Sequence, residues 1–277
     1  MRCSRQLLKP NDTPYGRLCA GLKAHGGRIL KPFQSNRRGE REQEFYERVF
    51  VTEKDSPNYT TLRPLLPKYY GTVVIPEPKD GETAPPPNGM HPGKYLALED
   101  LTWGRPWPCI MDVKMGTRSF EDDASAEKIA YERQKFPLQE AVGFRIQGIK
   151  VFDPKQRQYV EFDKHFGRGI TSAEALASAF RNFFPPNDKT KAAALLQAAW
   201  FQEQQDVEFI ASSFLFLYNG EPTATAEDLP VADAADIRLI DFAHVTHPSP
   251  GQRDEGVLTG IATLIQCFRE LLQDLKE

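Results

Sequence analysis

The sequence predicts a two-lobed α+β protein, with a small β-rich lobe, a short connector, a larger α+β lobe and a ligand cleft between the lobes. Three observations predict it. At 277 residues the chain is long enough for two lobes with substantial cores. Strand-like runs dominate the first hundred residues, whereas strands and helical spacing share the remainder. Between them "LTWGRPWP" (101–108) holds two of the three tryptophans and two prolines and reads as a stiff connector. The boundary is therefore expected near Gly104, giving lobes over 1–103 and 104–277.

The small lobe starts with strand-like text in "GRLCAG" (16–21) and "GGRILKPF" (26–33), where Gly26 and Gly27 look like a turn between paired strands. "RGEREQEFYERVF" (38–50) carries apolar residues at 45, 46, 49 and 50, the spacing of one helix face. "YYGTVVI" (69–75) and "KYLALED" (94–100) read as strands, separated by a proline-rich loop over 76–93.

In the large lobe, "PCIMDVKMG" (108–116) reads as a buried strand leading to a glycine, and "SAEKIAYERQKF" (125–136) as a helix capped by Ser125. "VGFRIQGIKVFD" (142–153) and "QYVEF" (158–162) predict a hairpin across "PKQR", with a bulge at Gly148 where the apolar parity shifts. Helical text returns at 172–184 and 191–204. Two strands, "FIASSFLFLY" (209–218) and "IRLIDFAHV" (237–245), are joined by an acidic, threonine-rich loop. Leu258, Ile261, Ile265, Phe268 and Leu272 then repeat at helical spacing.

Composition excludes several classes. A formal net charge of -3 argues against a general nucleic-acid binder, which shows a basic excess over a face or domain. No apolar run reaches membrane-spanning length, and "MRCSRQLLKP" lacks the core of a secretory signal, so a soluble protein of cytoplasm or nucleus is expected. The four cysteines are scattered without metal-ligand spacing.

Phosphoryl transfer requires a cation on the nucleotide phosphates, an acidic metal ligand, a group that orients or deprotonates the attacking hydroxyl, and positive charge on the moving group. Each has a candidate. Lys31 ends "RILK" ahead of a helix bearing Glu40 and Glu44, so that a helix carboxylate can hold the strand lysine against phosphate. Asp241 follows an apolar strand, and a buried carboxylate there demands a metal or a cation. Asp112 and Lys114 lie two apart in an extended segment and so point to the same side, toward a hydroxyl and the phosphoryl group it attacks.

With Pro108 and Gly116 included, that stretch reads P-x-x-x-D-x-K-x-G and resembles the signature of the inositol polyphosphate kinase family. The likeness continues in "RGEREQEFY", "LPKYYG", "LALEDL", "DDASAEKI", "HFGRG", "ASSFLFLY" and "IDFAH", and covers most of residues 27 to 270. The resemblance implies a two-lobed, protein-kinase-related and ATP-grasp-like fold, with antiparallel sheets in both lobes and an ATP cleft between them. ATP with Mg2+ would be the cofactor and soluble inositol phosphates the substrates. It further implies an adenine edge held by the backbone around Glu99 and Leu101, phosphates on Lys31 with Glu44 nearby, and metal on Asp241. Lys114 would sit between acceptor and transferred group. For Asp112, general base and ribose contact both stay open.

Within the family, "LPKYYG" and "KFPLQEAVGF" look most like multikinases, whereas "KMGTRSFEDDAS" and "GRGI" also suit hexakisphosphate kinases, which make a pyrophosphate. The length leaves no room for the extensions of inositol trisphosphate 3-kinases. Lys128, Tyr131, Glu132 and Lys135 share one helix face that would meet the acceptor. Glu132 should repel phosphate there unless paired with a nearby arginine such as Arg133, or turned outward. Lys150, Ser212 and His244 match further acceptor-side positions. Phosphoinositide headgroups are an additional acceptor class that the likeness raises. A protein kinase is disfavoured by the missing asparagine and activation segment; a non-catalytic scaffold that binds inositol phosphates is the rival from another class.

Overall fold

The computed structural model of the chain describes residues 4–6, 22–77, 91–184, 208–221, 235–246 and 253–273. Two antiparallel sheets carry them. The smaller has four strands in the order β2 (Lys23–His25), β3 (Arg28–Pro32), β5 (Gly93–Glu99) and β4 (Tyr69–Ile75). Gly26 and Gly27, at φ 57° and 77°, turn the chain between β2 and β3 as their pairing predicts. The expected strand at 16–21 lies outside the described residues, and β2 takes up the pairing with β3 instead.

Helix α1 (Arg38–Glu47) follows β3 and buries Glu42, Phe45 and Tyr46, while Val49 is buried in the wider turn Arg48–Thr52 that continues it. Tyr46 stacks on Tyr69 of β4 at 5.4 Å between ring centroids, and Phe45 packs on Phe242 at 4.4 Å. This helix therefore links the small sheet to the segment after Ile240. A short helix α2 (Pro57–Thr60) leads on toward β4.

The larger sheet has six strands in the order β1 (Ser4–Gln6), β8 (Gln158–Phe162), β7 (Phe144–Asp153), β6 (Pro108–Met115), β10 (Ser213–Asn219) and β11 (Asp236–Ile240). The division at residue 103 assigns Ser4–Gln6 to the small lobe. The backbone instead pairs it with β8 at the far edge of the large sheet, a long-range contact to which local pattern is blind. Two further strands, β9 (Glu208–Phe209) and β12 (Val245–Thr246), form a separate pair.

Strand β6 is central, and its two faces diverge. Cys109, Met111, Val113 and Met115 alternate with Ile110, Asp112 and Lys114, and the register with β10 sets Phe214 beside Val113 and Phe216 beside Met111. The first face is apolar and is covered by α6 (Ala173–Phe180) and the long α7 (Glu255–Gln273). Phe268 meets Phe180 edge-on at 5.3 Å and Phe216 at 5.8 Å, geometry that suits aromatic quadrupoles. The buried stripe of α7 is Val257, Ile261, Leu264, Ile265, Phe268 and Leu271; Leu258, expected on it, is only partly buried. Each fully buried apolar side chain there contributes about 1.5–3 kcal/mol gross. Phe214 belongs to this packed face, away from the cleft.

On the far side of β6, the ladder with β7 shifts register between Asp112, opposite Gly148, and Val113, opposite Ile146, so Gln147 is the extra residue. The bulge expected at Gly148 is thus present one residue before it. Helix α3 (Ala126–Lys135) is capped by the Ser125 hydroxyl, which accepts from the Lys128 N–H. Helix α4 (Gln139–Val142) leads into β7, and α5 (Lys164–Arg168) lies against it. A Cβ on Gly167 would fall 1.9 Å from the Ile146 carbonyl oxygen, so only glycine lets α5 approach β7 this closely.

The strands expected at 209–218 and 237–245 are each interrupted. Ala211 (φ 58°) breaks the first and Asp241 (φ 67°) ends the second, both in the left-handed region that non-glycine residues seldom adopt. The helical text at 191–204 and most of the acidic loop lie outside the described residues. Among the described residues, no helix is long and apolar enough to cross a membrane.

Candidate active site

A cavity of about 290 Å³ lies between the two sheets. Its apolar walls include Ile29, Leu98, Leu101, Leu215 and Ile240, and Lys31, Glu42, Glu99, Asp112 and Asp241 bring polar groups to its lining. The connector wall is stiffened by Asp100, whose carboxylate accepts from both the N–H and the hydroxyl of Thr102 at 2.9 and 2.6 Å. The Glu99 side chain points elsewhere: it accepts from the Lys68 N–H at 3.1 Å and pairs with Arg238 at 3.4 Å.

Lys31 projects from β3 and its Nζ donates to Glu42 at 2.7 Å and to Asp241 at 2.6 Å. Burial alone lowers the ammonium's pKa, but the two carboxylates outweigh it and hold the value well above the ordinary lysine range. The helix carboxylate is Glu42, and this corrects the expectation for Glu44. Glu42 shares the buried face with Phe45, Tyr46 and Val49, whereas Glu44 is 65% exposed with Arg37 at 3.9 Å as its ion-pair contact. Glu42 also accepts from the Phe242 N–H at 3.3 Å and so ties α1 to the Asp241 segment.

The breaks at Ala211 and Asp241 are adjacent, because Ser213 and Ile240 are register partners. Ser212 is fully buried between them; its hydroxyl donates to the Asp241 carbonyl at 2.8 Å, and its own carbonyl accepts from the Met115 N–H at 2.8 Å. Ser212 therefore braces the backbone that aims Asp241, which corrects its expected acceptor contact. Lys114 Nζ donates to the Ala211 carbonyl at 2.8 Å. The signature glycine Gly116 sits at φ 97°, and its carbonyl accepts from the buried Gln139 amide at 3.0 Å. It ends β6 in a turn closed to residues with a Cβ.

Asp112 and Lys114 do share one side of β6. Burial first, and the Asp241 carboxylate second, push the Asp112 carboxyl up to about 6, and its Oδ1 is buried without a hydrogen-bond partner. Burial likewise lowers the Lys114 pKa, opposed by Asp241 and Asp112. Burial acts on Asp241 too, yet Lys31 and Lys114 overcome it and hold that carboxyl below the ordinary range.

On α3, Glu132 is buried and gripped by Lys128 at 3.0 Å and Lys135 at 2.6 Å. The predicted partner Arg133 lies instead over the Phe120 ring at 5.9 Å, since it is one residue off the Glu132 face. Tyr131 is exposed and carries the Lys135 ammonium over its ring at 4.2 Å. Lys150 lies on the cleft side of β7 but is fully buried, 3.4 Å from Glu161 and 4.7 Å from the Tyr159 ring centroid. His244 Nδ1 is 3.0 Å from Glu121, which also takes Arg41 at 2.7 Å.

Glu42, Arg145 and Arg168 are absent from the predicted set. Glu42 was findable, since it falls three and four positions before Phe45 and Tyr46. Arg145 needed the bulge, and Arg168 needed the close seating of α5.

The profile of the family described as inositol polyphosphate kinase matches residues 95–269. Inositol polyphosphate multikinase of Rattus norvegicus is 37% identical over 221 residues, 76% of this chain and 53% of that protein. The chain thus spans about half the length of that relative. Inositol polyphosphate multikinase beta of Arabidopsis thaliana is 29% identical over 276 residues, covering 91% of this chain and 87% of that protein. The crystal structure of inositol phosphate multikinase Ipk2 from S. cerevisiae, in complex with ADP and Mn2+, superimposes with a TM-score of 0.68 at 25% identity, over 89% of this chain and all of that one. The chain belongs to the inositol polyphosphate kinase family.

Proposed function

We propose that the chain is an ATP-dependent multikinase that transfers the γ-phosphoryl group to hydroxyls of inositol tris- and tetrakisphosphate. Lys31, Asp112 and Asp241 line one cavity, and Lys114 lies close enough to the two aspartates for their charges to bear on it; this convergence carries the reading. In it, residues up to 103 other than β1 form the nucleotide-side lobe and residues 104–277 the acceptor-side lobe. The apolar slot beside Glu99 and Leu101 takes the adenine. Lys31 meets the phosphates, pre-aimed by Glu42, and the ADP and Mn2+ bound by the multikinase neighbour support the use of a nucleotide with a divalent metal.

The residues fit a divalent cation. Asp241 lies close enough for its charge to bear on Asp112, and Asp112 Oδ1 is a buried oxygen without a hydrogen-bond partner among the described residues. An all-oxygen set of this kind suits a hard ion such as Mg2+, with the remaining ligands drawn from phosphate and water. Asp241 would hold it, and when bound it supplies charge neutralisation at the phosphates. Lys114, lowered by burial and free of a direct carboxylate partner, offers its charge where negative charge grows in transfer. Asp112 lines the nucleotide cavity and, at about 6, can also accept a proton near neutrality; both of its roles fit.

The test is the product of purified protein with Mg-ATP and, separately, inositol trisphosphate and hexakisphosphate, resolved by anion-exchange chromatography. Tetrakis- and pentakisphosphate from trisphosphate are expected. A pyrophosphate from hexakisphosphate alone moves the assignment to a hexakisphosphate kinase, and no turnover of either moves it to a scaffold. A cytoplasmic or nuclear setting and phosphoinositide headgroups as acceptors belong to the same reading, with the multikinase likeness as their support.

A further inference from the structure

Arg145 lies at the start of β7 as the register partner of Lys114, and it is 2% exposed. Because of the bulge at Gln147, Arg145 and Lys150, five apart and of opposite strand parity, both project to the side of β6 that bears Asp112 and Lys114. Among the described residues, the Arg145 Nε and Nη1 are buried with no hydrogen-bond partner. Arg168, at the end of α5, has a buried Nε that is likewise unpartnered. Gly167 is the residue that presses α5 onto β7 and so brings the second guanidinium in. The charges that bear on Arg145 are Arg168, Glu132 and Asp112, and the last of these lines the cavity of the proposed reaction site.

Buried guanidinium donors without acceptors are rare, and like charges side by side make them costlier still. An anion would satisfy both groups at once, and guanidinium forks match phosphate geometry. Next door, the lysine pair on α3 already has an occupant. Glu132 is held between Lys128 and Lys135 much as a phosphate oxygen would be, so that face offers less free charge than its two lysines suggest.

We propose that Arg145 and Arg168 form an anion subsite behind Lys114 that takes one phosphate of the acceptor, while Glu132 fills the neighbouring lysine cage as a built-in substitute for another. The acceptor is then a cyclitol whose phosphates reach inward to β7 rather than outward along α3. The inference deepens the kinase reading and rests on it for the identity of the acceptor.

Steady-state kinetics and calorimetry on the parent, Arg145→Met, Arg145→Lys, Arg168→Met and Glu132→Gln separate the possibilities, with inositol trisphosphate as acceptor and inositol hexakisphosphate as the binding probe. Arg145→Met is expected to raise the acceptor KM 10- to 100-fold with the ATP KM unchanged. Arg145→Lys should restore part of the loss, and Arg168→Met should fall between them. Glu132→Gln should tighten the hexakisphosphate probe three- to tenfold, by releasing two lysines. If the parent turns over and both methionine variants keep the acceptor KM within twofold, the subsite is refuted and the kinase reading stands. If the parent turns over no inositol phosphate yet binds the probe through Arg145, the subsite stands and the kinase reading falls. Absence of both turnover and probe binding overturns both. Melting temperatures guard against misfolding: loss of an unpaired buried cation should leave Arg145→Met at least as stable as the parent, whereas a purely structural role predicts a lower midpoint.

Discussion

Lys31 and Lys114 bear on the same Asp241 carboxylate from two different sheets, yet their surroundings differ in kind. Lys31 is clasped by two carboxylates, Glu42 at 2.7 Å and Asp241 at 2.6 Å, and its charge is reinforced. Lys114 has a backbone carbonyl at 2.8 Å, sits beside Arg145 in the sheet register, and has its charge weakened by burial. The frame around Lys31 is thus ion-paired and complete, whereas Arg145, beside Lys114, holds buried donors that have no acceptor among the described residues. A complete frame fixes geometry before a ligand arrives, and removing one member strands another. An incomplete one leaves charge free for an anionic substrate, and its members act mainly through binding.

The sharpest break in the comparison is Asp241→Asn. It removes the second carboxylate from Lys31 and the proposed metal ligand together, and turnover should drop by about 10³-fold or more while the far-ultraviolet spectrum is unchanged. Activity near the parental level would falsify its role. Glu42→Gln opens the frame on one side only. A loss of about 10- to 100-fold in kcat/KM for ATP is expected, with the acceptor KM little moved, because Lys31 keeps Asp241 but loses its tie to α1. An equal rise in both KM values would instead mean that Glu42 holds the lobes together generally.

Asp112, on the same strand face as Lys114, tests the large-sheet wall of the cleft through stability. Its carboxyl is pushed up to about 6 from the ordinary 3.8, so the folded state binds the proton more tightly than the unfolded chain. Stability therefore declines as pH rises between these values, and the penalty is fully present above about 6. Asp112→Asn should make the metal-free, nucleotide-free protein more stable by about 1–3 kcal/mol at pH 7.5. The gain should shrink to nothing below pH ~4 in denaturant titrations. A pH-independent gain would place the cause in packing. The smallest effect belongs to Glu44→Ala, expected to stay within about twofold in every kinetic constant because an exposed ion pair contributes little. A large effect would restore Glu44 to the nucleotide site at the expense of Glu42.

Glu42 and Glu44 also mark the limit of what pattern reveals. That a carboxylate on the helix after "RILK" should meet Lys31 follows from chemistry and proximity in the chain. Which one does so depends on the face α1 buries, and Phe45, Tyr46 and Val49 select Glu42. Asp112 with Lys114 was legible because strand parity is local, and so was the Ser125 cap. The bracing role of Ser212 was not legible, since its hydroxyl's hydrogen bond to the Asp241 carbonyl joins residues 29 apart.

Short-range spacing was thus enough for most of the described helices and strands, for the signature turn at Gly116 and for picking out Lys31, Asp112, Lys114 and Asp241 as the proposed reacting set. These depend on the two periods of the backbone and on which side chains can carry charge, both readable along the chain. Folding alone decided that Ser4–Gln6 closes the large sheet, that Asp241 and Ala211 take left-handed backbone, and that Glu132 lies between two lysines. It also decided that a single extra residue at Gln147 turns Arg145 toward Lys114. Each of these is a choice among partners distant in sequence, made by burial and register, and the cost of leaving a charge buried and unpaired is felt only after the chain has closed around it.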